Sequence, residues 1–324
     1  MQAYAHEFKR LLHLIRGSNR ILLISHQKPD GDTLGSTLGL ANWMIREGKR
    51  PTIFCVDTPS PTYRFLPNIH LYTNDETVFD DAYDLVIVLD SSNLKYAGVD
   101  VHLPRLKPGY VLVNIDHHGS NARYGDIKLV IPGTSSTSEI IYQFFKENDI
   151  LLDSAMSTSL LIGLCTDTWN FCNPLTSVSA LEAGSVLIAH GARFNDILRY
   201  FWKNQSFDAF ALWGKLLSRL HHEPQFSVAS TYLTAIELED VPTELMEQMV
   251  NFLASIVGEV DTVLFLKEHS DGLVSGSFRG HKRNVDKLAA YLGGGGHPGA
   301  AAFRIRGKLE ILENGRAKII ALDN

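Results

Sequence analysis

Apolar residues fall into two kinds of stretch along this chain: short unbroken runs, and longer segments where they recur at helical spacing. Unbroken runs near 20–25, 51–56, 84–90 and 110–116 read as strands buried on both faces, since a strand with one wet face would alternate. Helical patterns separate them, which predicts βαβ units and a parallel sheet. Residues 1–17 space Glu7, Lys9, Arg10 and Arg16 among apolar positions as an amphipathic helix does. Ser135–Asn148 opens on small hydroxyl residues and then places Ile140, Ile141, Phe144 and Phe145 on one helical face. Asp153–Thr166 reads as a second apolar helix, and Ser177–Leu220 stays helical apart from Gly191. After Pro224 the pattern shortens, with strands at 225–236, 259–267, 272–279 and 300–306 and helices near 242–255 and 284–292. The expected fold is α/β: an N-terminal parallel-sheet domain with flanking helices at 1–192, a helical connector at 193–222, and a smaller α/β domain at 223–324. There is no internal repeat and no low-complexity segment.

Composition narrows the class. The 324 residues leave room for two domains, and 45% apolar content describes an ordinary globular protein. No apolar stretch approaches the roughly 18 residues of a membrane span. The first helix lacks the apolar core and cleavage site of a signal peptide. Cys55, Cys165 and Cys172 form no CxxC pair, which predicts reduced thiols and a cytoplasmic location without membrane contact. A net charge of −6 excludes a protein that coats nucleic acid through a generally basic surface. Charge is uneven, however: Arg279 to Lys308 holds seven Lys or Arg residues and one acid, Asp286. A solvated helix face accounts for some of these; a small anionic ligand held in one place would account for the patch as a whole.

Acids and histidines cluster at four separated places, each after an apolar run. They are Ser25-His26-Gln27-Lys28-Pro29-Asp30-Gly31-Asp32, then Asp90, then Asp116-His117-His118, then Asp167. Acids at the carboxyl ends of buried parallel strands converge on the crevice where open α/β sheets bind ligands. Carboxylates crowded together repel unless cations sit among them, and oxygen and imidazole donors without thiolate suit manganese or magnesium. The pattern reads as a two-metal phosphoesterase site. The H-x-x-x-D-x-D spacing lets His26 and Asp30 face one ion and Asp32 a second, while Asp90 between them could bridge. Asp32 is equally a natural N-cap for a helix starting near Thr33. Adjacent His117 and His118 point in different directions, so one can ligate metal while the other faces substrate. Far downstream, Gly293-Gly294-Gly295-Gly296-His297 leaves backbone N–H groups open to an anion, and Ser277, Arg279 and His297 could complete a phosphate pocket. A flexible loop is the plainer reading of such a run.

Five motifs in this order resemble the DHH/DHHA1 phosphoesterase superfamily, and most closely its bacterial nanoRNase (oligoribonuclease)/pAp phosphatase group, over nearly the whole chain. The resemblance implies a DHH catalytic domain at 1–192 and a DHHA1 substrate-binding domain at 223–324. It implies that His26, Asp30 and Asp90 hold one divalent ion and that Asp32, Asp90, His117 and Asp167 hold the other. Mn²⁺ is the expected metal, with Mg²⁺ or Co²⁺ as alternatives. His118, near the scissile phosphate, and Asp116 form the implied catalytic pair. Ser277, Arg279, Gly294, Gly295, Gly296 and His297 would bind a terminal phosphate or nucleotide. The implied reaction is hydrolysis of short single-stranded RNA or DNA oligonucleotides to mononucleotides, and of pAp to AMP, by in-line attack of metal-activated water. A linear or cyclic dinucleotide phosphodiesterase is the rival within the class, and a non-catalytic nucleic-acid-binding protein the rival outside it. A homodimer is left open. One departure stands out: relatives usually carry Gly after the Asp-Thr pair of the fourth motif, where this chain has Trp169, a residue that could stack on a base or anchor its loop.

Overall fold

Each of the four N-terminal apolar runs becomes a mostly buried strand, as a run without polar alternation must. The computed structural model describes residues 4–203, 206–239, 241, 243–280, 283–297 and 299–322. The chain divides into two compact units, 1–200 and 201–324.

Unit 1 begins with α1 (Ala5–Gly17), β1 (Ile21–Ile24), α2 (Gly31–Arg46), β2 (Thr52–Phe54) and β3 (Tyr72–Thr73). There follow β4 (Leu85–Leu89), β5 (Val111–Asp116), β6 (Ile127–Val130), α3 (Thr137–Glu147), α4 (Ser154–Asp167), α5 (Val178–Ala189) and α6 (Phe194–Leu198). The six strands form one parallel sheet in the order β3-β2-β1-β4-β5-β6. Its order reverses between β1 and β4, and ligands of such sheets bind outside the carboxyl ends at that point. Edge strands β3 and β6 were not expected; they are two and four residues long, too short for a periodic signal. Trp43 of α2 packs edge-on against Phe144 and Phe145 of α3, at 5.6 and 5.8 Å between centroids. α2 and α4 approach closely because Gly35 and Gly163 face the contact. A Cβ on Gly35 would lie 2.4 Å from the Ser159 carbonyl oxygen.

Unit 2 contains α7 (Phe207–Ser218), β7 (His221–Glu223), β8 (Val228–Leu233), α8 (Ala235–Leu238), α9 (Thr243–Ile256), β9 (Thr262–Glu268) and β10 (Leu273–Gly280). It closes with α10 (Val285–Tyr291), β11 (Gly295–His297), β12 (Ala300–Ile311) and β13 (Ala317–Ala321). The sheet runs β11-β12-β10-β9-β8-β7 with β13 on β12, and only β8 and β9 pair in parallel. Helices expected to connect two domains divide between the units: α6 lies in unit 1, whereas Leu212 and Leu216 of α7 pack with Leu233, Val250 and Phe265 in the core of unit 2. Among the described residues no helix is long and apolar enough to cross a membrane.

Candidate metal centre

The turn after β1 carries His26 and Asp30. His26 Nδ1 lies 2.7 Å from the Gln27 carbonyl oxygen, and a proton donated there leaves Nε2 facing the site. That Nε2 stands 3.5 Å from Asp90 Oδ2 and 3.8 Å from Asp30 Oδ1. Asp30, rather than Asp32, is the N-cap of α2: its Oδ1 accepts from Asp32 N at 2.9 Å and Thr33 N at 3.1 Å. The helix starts at Gly31, so Asp32 falls inside the first turn and aims its carboxylate inward. There Asp32 accepts from Thr137 N at 2.6 Å and Ser138 N at 2.9 Å, the first N–H groups of α3, where a helix favours negative charge. α3 is in turn capped by Ser136 and braced by buried Glu139, which accepts from Ser135 N and Oγ at 2.7 Å each.

Asp90 follows β4 with φ of +55°, a left-handed conformation that Asp and Asn tolerate better than other side-chain-bearing residues. Its Oδ1 accepts from Thr137 Oγ1 at 2.9 Å. At the end of β5, Asp116 is fully buried and fully engaged. Its Oδ1 accepts from His117 N at 2.9 Å and lies 2.7 Å from His118 Nδ1, while Oδ2 accepts from Asn121 Nδ2 at 2.6 Å. Asp116 therefore holds His118. The two histidine rings diverge at 61°, and His117 Nε2 points to Asp167 Oδ2 at 3.2 Å and Asp90 Oδ1 at 3.8 Å. Asp167 is the last residue of α4.

Among the described residues three close groupings result: His26, Asp30 and Asp90; Asp32, His117 and Asp167; and Asp90, His117 and His118, each offering ligand atoms within 4.8 Å of one another. In the third, His118 Nδ1 is taken up by Asp116. The first two are tridentate and lie side by side, with Asp90 facing both His26 and His117.

The electrostatics favour cations in them. Burial, reinforced by the charge of Asp90, pushes the Asp32 carboxyl well above its ordinary range; burial and the charges of Asp32, Asp30 and Asp90 do the same to Asp167. An acid closing a helix also opposes the dipole. Burial would raise Asp90 too, but its bond to His26 and the charges of His26, His117 and His118 pull it below the usual carboxylate range. Burial would lower His26 and His118. Instead the Asp90 bond and the Asp30 and Asp90 charges lift His26 to about 9, and the Asp116 bond lifts His118 to about 9. His117 is held below its ordinary value, by burial first and by the charge of His118. Neutral His117 directs Nδ1 to the Thr134 carbonyl oxygen, and its buried Nε2 makes no hydrogen bond. A lone pair aimed at a carboxylate oxygen is the arrangement a shared divalent cation resolves. The donor set fits a pair of divalent ions.

Trp169 has φ of +52°, and Asn170 and Phe171 follow at +54° and +62°. The position expected to carry Gly is thus one where the backbone is left-handed. Trp169 is 7% exposed and Phe171 packs on Gly184, so both anchor their turn.

In unit 2 a cavity of about 310 Å³ is lined by Ser277 and Arg279 of β10, Gly295 and Gly296 of β11, and Lys267 of β9. Arg279 Nε donates to Asn251 Oδ1 at 2.9 Å. The glycine run is a strand over Gly295–His297 rather than a loop, pairing with Ala300–Ala302. Gly296 has φ of +147°, and a Cβ there would come within 2.5 Å of the Ala300 carbonyl oxygen. Gly294 packs against β12 outside the cavity lining, and the side chain of His297 lies outside the described part. Sequence reasoning passed over Lys267, whose signal was the one used for the acids: a charge ending an apolar strand.

Comparison with known proteins gives two family matches, the DHH family N-terminal domain over residues 20–164 and the DHHA1 domain over 228–321. A bifunctional oligoribonuclease and PAP phosphatase of Thermus thermophilus is 29% identical over 290 residues, covering 89% of this chain and 84% of that protein. Its counterpart in Bacillus subtilis is 29% identical over 302 residues, covering 91% and 92%. The crystal structure of an exopolyphosphatase-related protein from Bacteroides fragilis superposes with a TM-score of 0.83 over 97% of this chain and 94% of that one, at 23% identity.

Proposed function

Since the chain belongs to the DHH family and carries its DHHA1 domain, we propose that it is a manganese-dependent phosphoesterase that hydrolyses short oligonucleotides to mononucleotides and pAp to AMP. The observation that carries this reading is the pair of adjoining tridentate sites with Asp90 facing both. His26, Asp30 and Asp90 would hold one ion; Asp32, His117, Asp167 and Asp90 the other. When bound, two such ions supply Lewis-acid charge at phosphorus and bring the pKa of water into the working range.

The remaining chemistry is the chain's own. His118, held by Asp116 and partly exposed, donates a hydrogen bond or proton to the departing oxygen. Asp116 fixes its ring through Nδ1, leaving Nε2 as the group that meets substrate, and Asn121 holds Asp116. The α3 N-terminus and Thr137 keep Asp32 and Asp90 in place without reorganisation. In unit 2, the cavity with Lys267, Ser277 and Arg279 takes a second phosphate or terminal nucleotide, for which Arg and Lys supply charge-assisted hydrogen bonds. The match covers 84% and 92% of the two oligoribonuclease relatives, which favours short linear substrates.

The test is a panel of labelled two- to five-nucleotide oligomers, pAp and cyclic dinucleotides assayed with and without Mn²⁺. Mononucleotide release that needs the metal and is fastest on the shortest linear substrates is expected. Turnover of cyclic dinucleotides alone, or none with any metal, would overturn the proposal.

A further inference from the structure

One aromatic side chain at the metal centre has no part in the chemistry above. Tyr96 lies on the segment that follows Asp90, and its ring centroid is 4.9 Å from that of His26 with the planes tilted by 37°. Tyr96 is nonetheless 44% exposed. Its neighbours explain how an apolar ring stays in that position. Ala97 and Val99 are fully buried in the core beside β1 and β4, which anchors the segment on the far side. Tyr96 N donates to Asn93 Oδ1 at 2.8 Å, and Ser91 Oγ donates to the Asn93 carbonyl oxygen at 2.8 Å. Gly98 turns the chain at φ of +73°, with Val56 2.8 Å from where a Cβ would stand. The ring is thus presented from a braced turn, one imidazole away from the grouping of His26, Asp30 and Asp90.

We propose that Tyr96 is a stacking platform for the nucleobase of the nucleotide whose phosphate occupies the metal centre. The proposal rests on the functional reading above and adds the element that distinguishes nucleotides from other phosphate esters. Stacking on an aromatic face is tolerant of base identity, because every base has a π-face. A tyrosine here therefore selects for nucleotides as a class. It also lies in the same unit as the predicted ligands, so the contact needs only a mononucleotide.

The test is a binding titration of manganese-loaded wild type, Tyr96→Ala and Tyr96→Phe with AMP and, separately, ribose 5-phosphate. Loss of one base–aromatic stack corresponds to roughly five- to a hundredfold in affinity. Tyr96→Ala should weaken AMP by that factor and leave ribose 5-phosphate unchanged, while Tyr96→Phe should bind AMP as wild type does. Manganese content should be equal in all three. Equal affinity of wild type and Tyr96→Ala for AMP, or parallel losses for both ligands, overturns the platform. Loss of manganese from Tyr96→Ala would show that the ring serves only to hold His26. Because binding is read without turnover, a wild type that binds AMP through Tyr96 but hydrolyses no oligonucleotide would defeat the functional reading and leave the subsite standing.

Discussion

At Asp90 two demands meet in one residue. The backbone is left-handed there, and the carboxylate faces both predicted ion sites. Asp90→Asn keeps a side chain suited to that backbone and removes the charge; Asp90→Ala removes both, at a further cost of about 1 kcal/mol or more. Both variants should lose bound manganese and fall to background turnover, with Asp90→Ala the less stable in thermal denaturation. Normal metal content in Asp90→Asn would refute the bridging role. Trp169 poses the opposite balance. Glycine would relieve roughly 1–2 kcal/mol of left-handed strain, but emptying a buried indole site costs about 3–5 kcal/mol. Trp169→Gly should therefore lower Tm by several degrees; a rise would mean that strain outweighs packing. Single residues of this kind were only partly legible in the sequence. Acids after apolar runs stood out because strand ends converge, whereas the cap position at Asp30 depends on where α2 begins, which no periodicity sets to the residue.

Between elements, the decisive contact is the seating of α4 against α2 and α3. A Cβ on Gly163 would fall 2.0 Å from Ser138 Oγ and 2.5 Å from Asp32 Oδ1. One added methyl must then push α4 away from the α3 N-terminus that holds Asp32, and with α4 goes Asp167. Gly163→Ala should weaken manganese binding by about ten- to a hundredfold, the usual effect of disturbing groups behind a metal ligand, as read by calorimetric titration. Unchanged affinity would show that the helices absorb the methyl without moving the ligands. The helices themselves were legible: α3 and α4 lie within a residue or two of their expected bounds. Their mutual packing was not, because a glycine inside an apolar helix carries no periodic signal and its partner is distant in sequence. The same holds for β11 and β13, whose formation depends on pairing with β12 rather than on their own composition.

Across the whole molecule, the two family matches fall in the two compact units, one with the sheet that carries the predicted ligands and one with the sheet that carries the cationic cavity. The order of the first sheet has a kinetic consequence. The predicted ligands at 26, 30, 32, 90, 117 and 167 come together only after β1, β4, β5 and α4 have docked. Closing loops of that length costs entropy before any coordination is gained, so the metal sites are late structures on the folding route. Interactions absent from the transition state slow unfolding and leave folding untouched. Stopped-flow chevrons of the protein should then show the unfolding limb falling as manganese is added, with the refolding limb unmoved; acceleration of refolding would mean that the ligands gather early. The ions that serve hydrolysis would on this account also act as a latch on the finished sheet, setting how long the native state lasts rather than how fast it is reached.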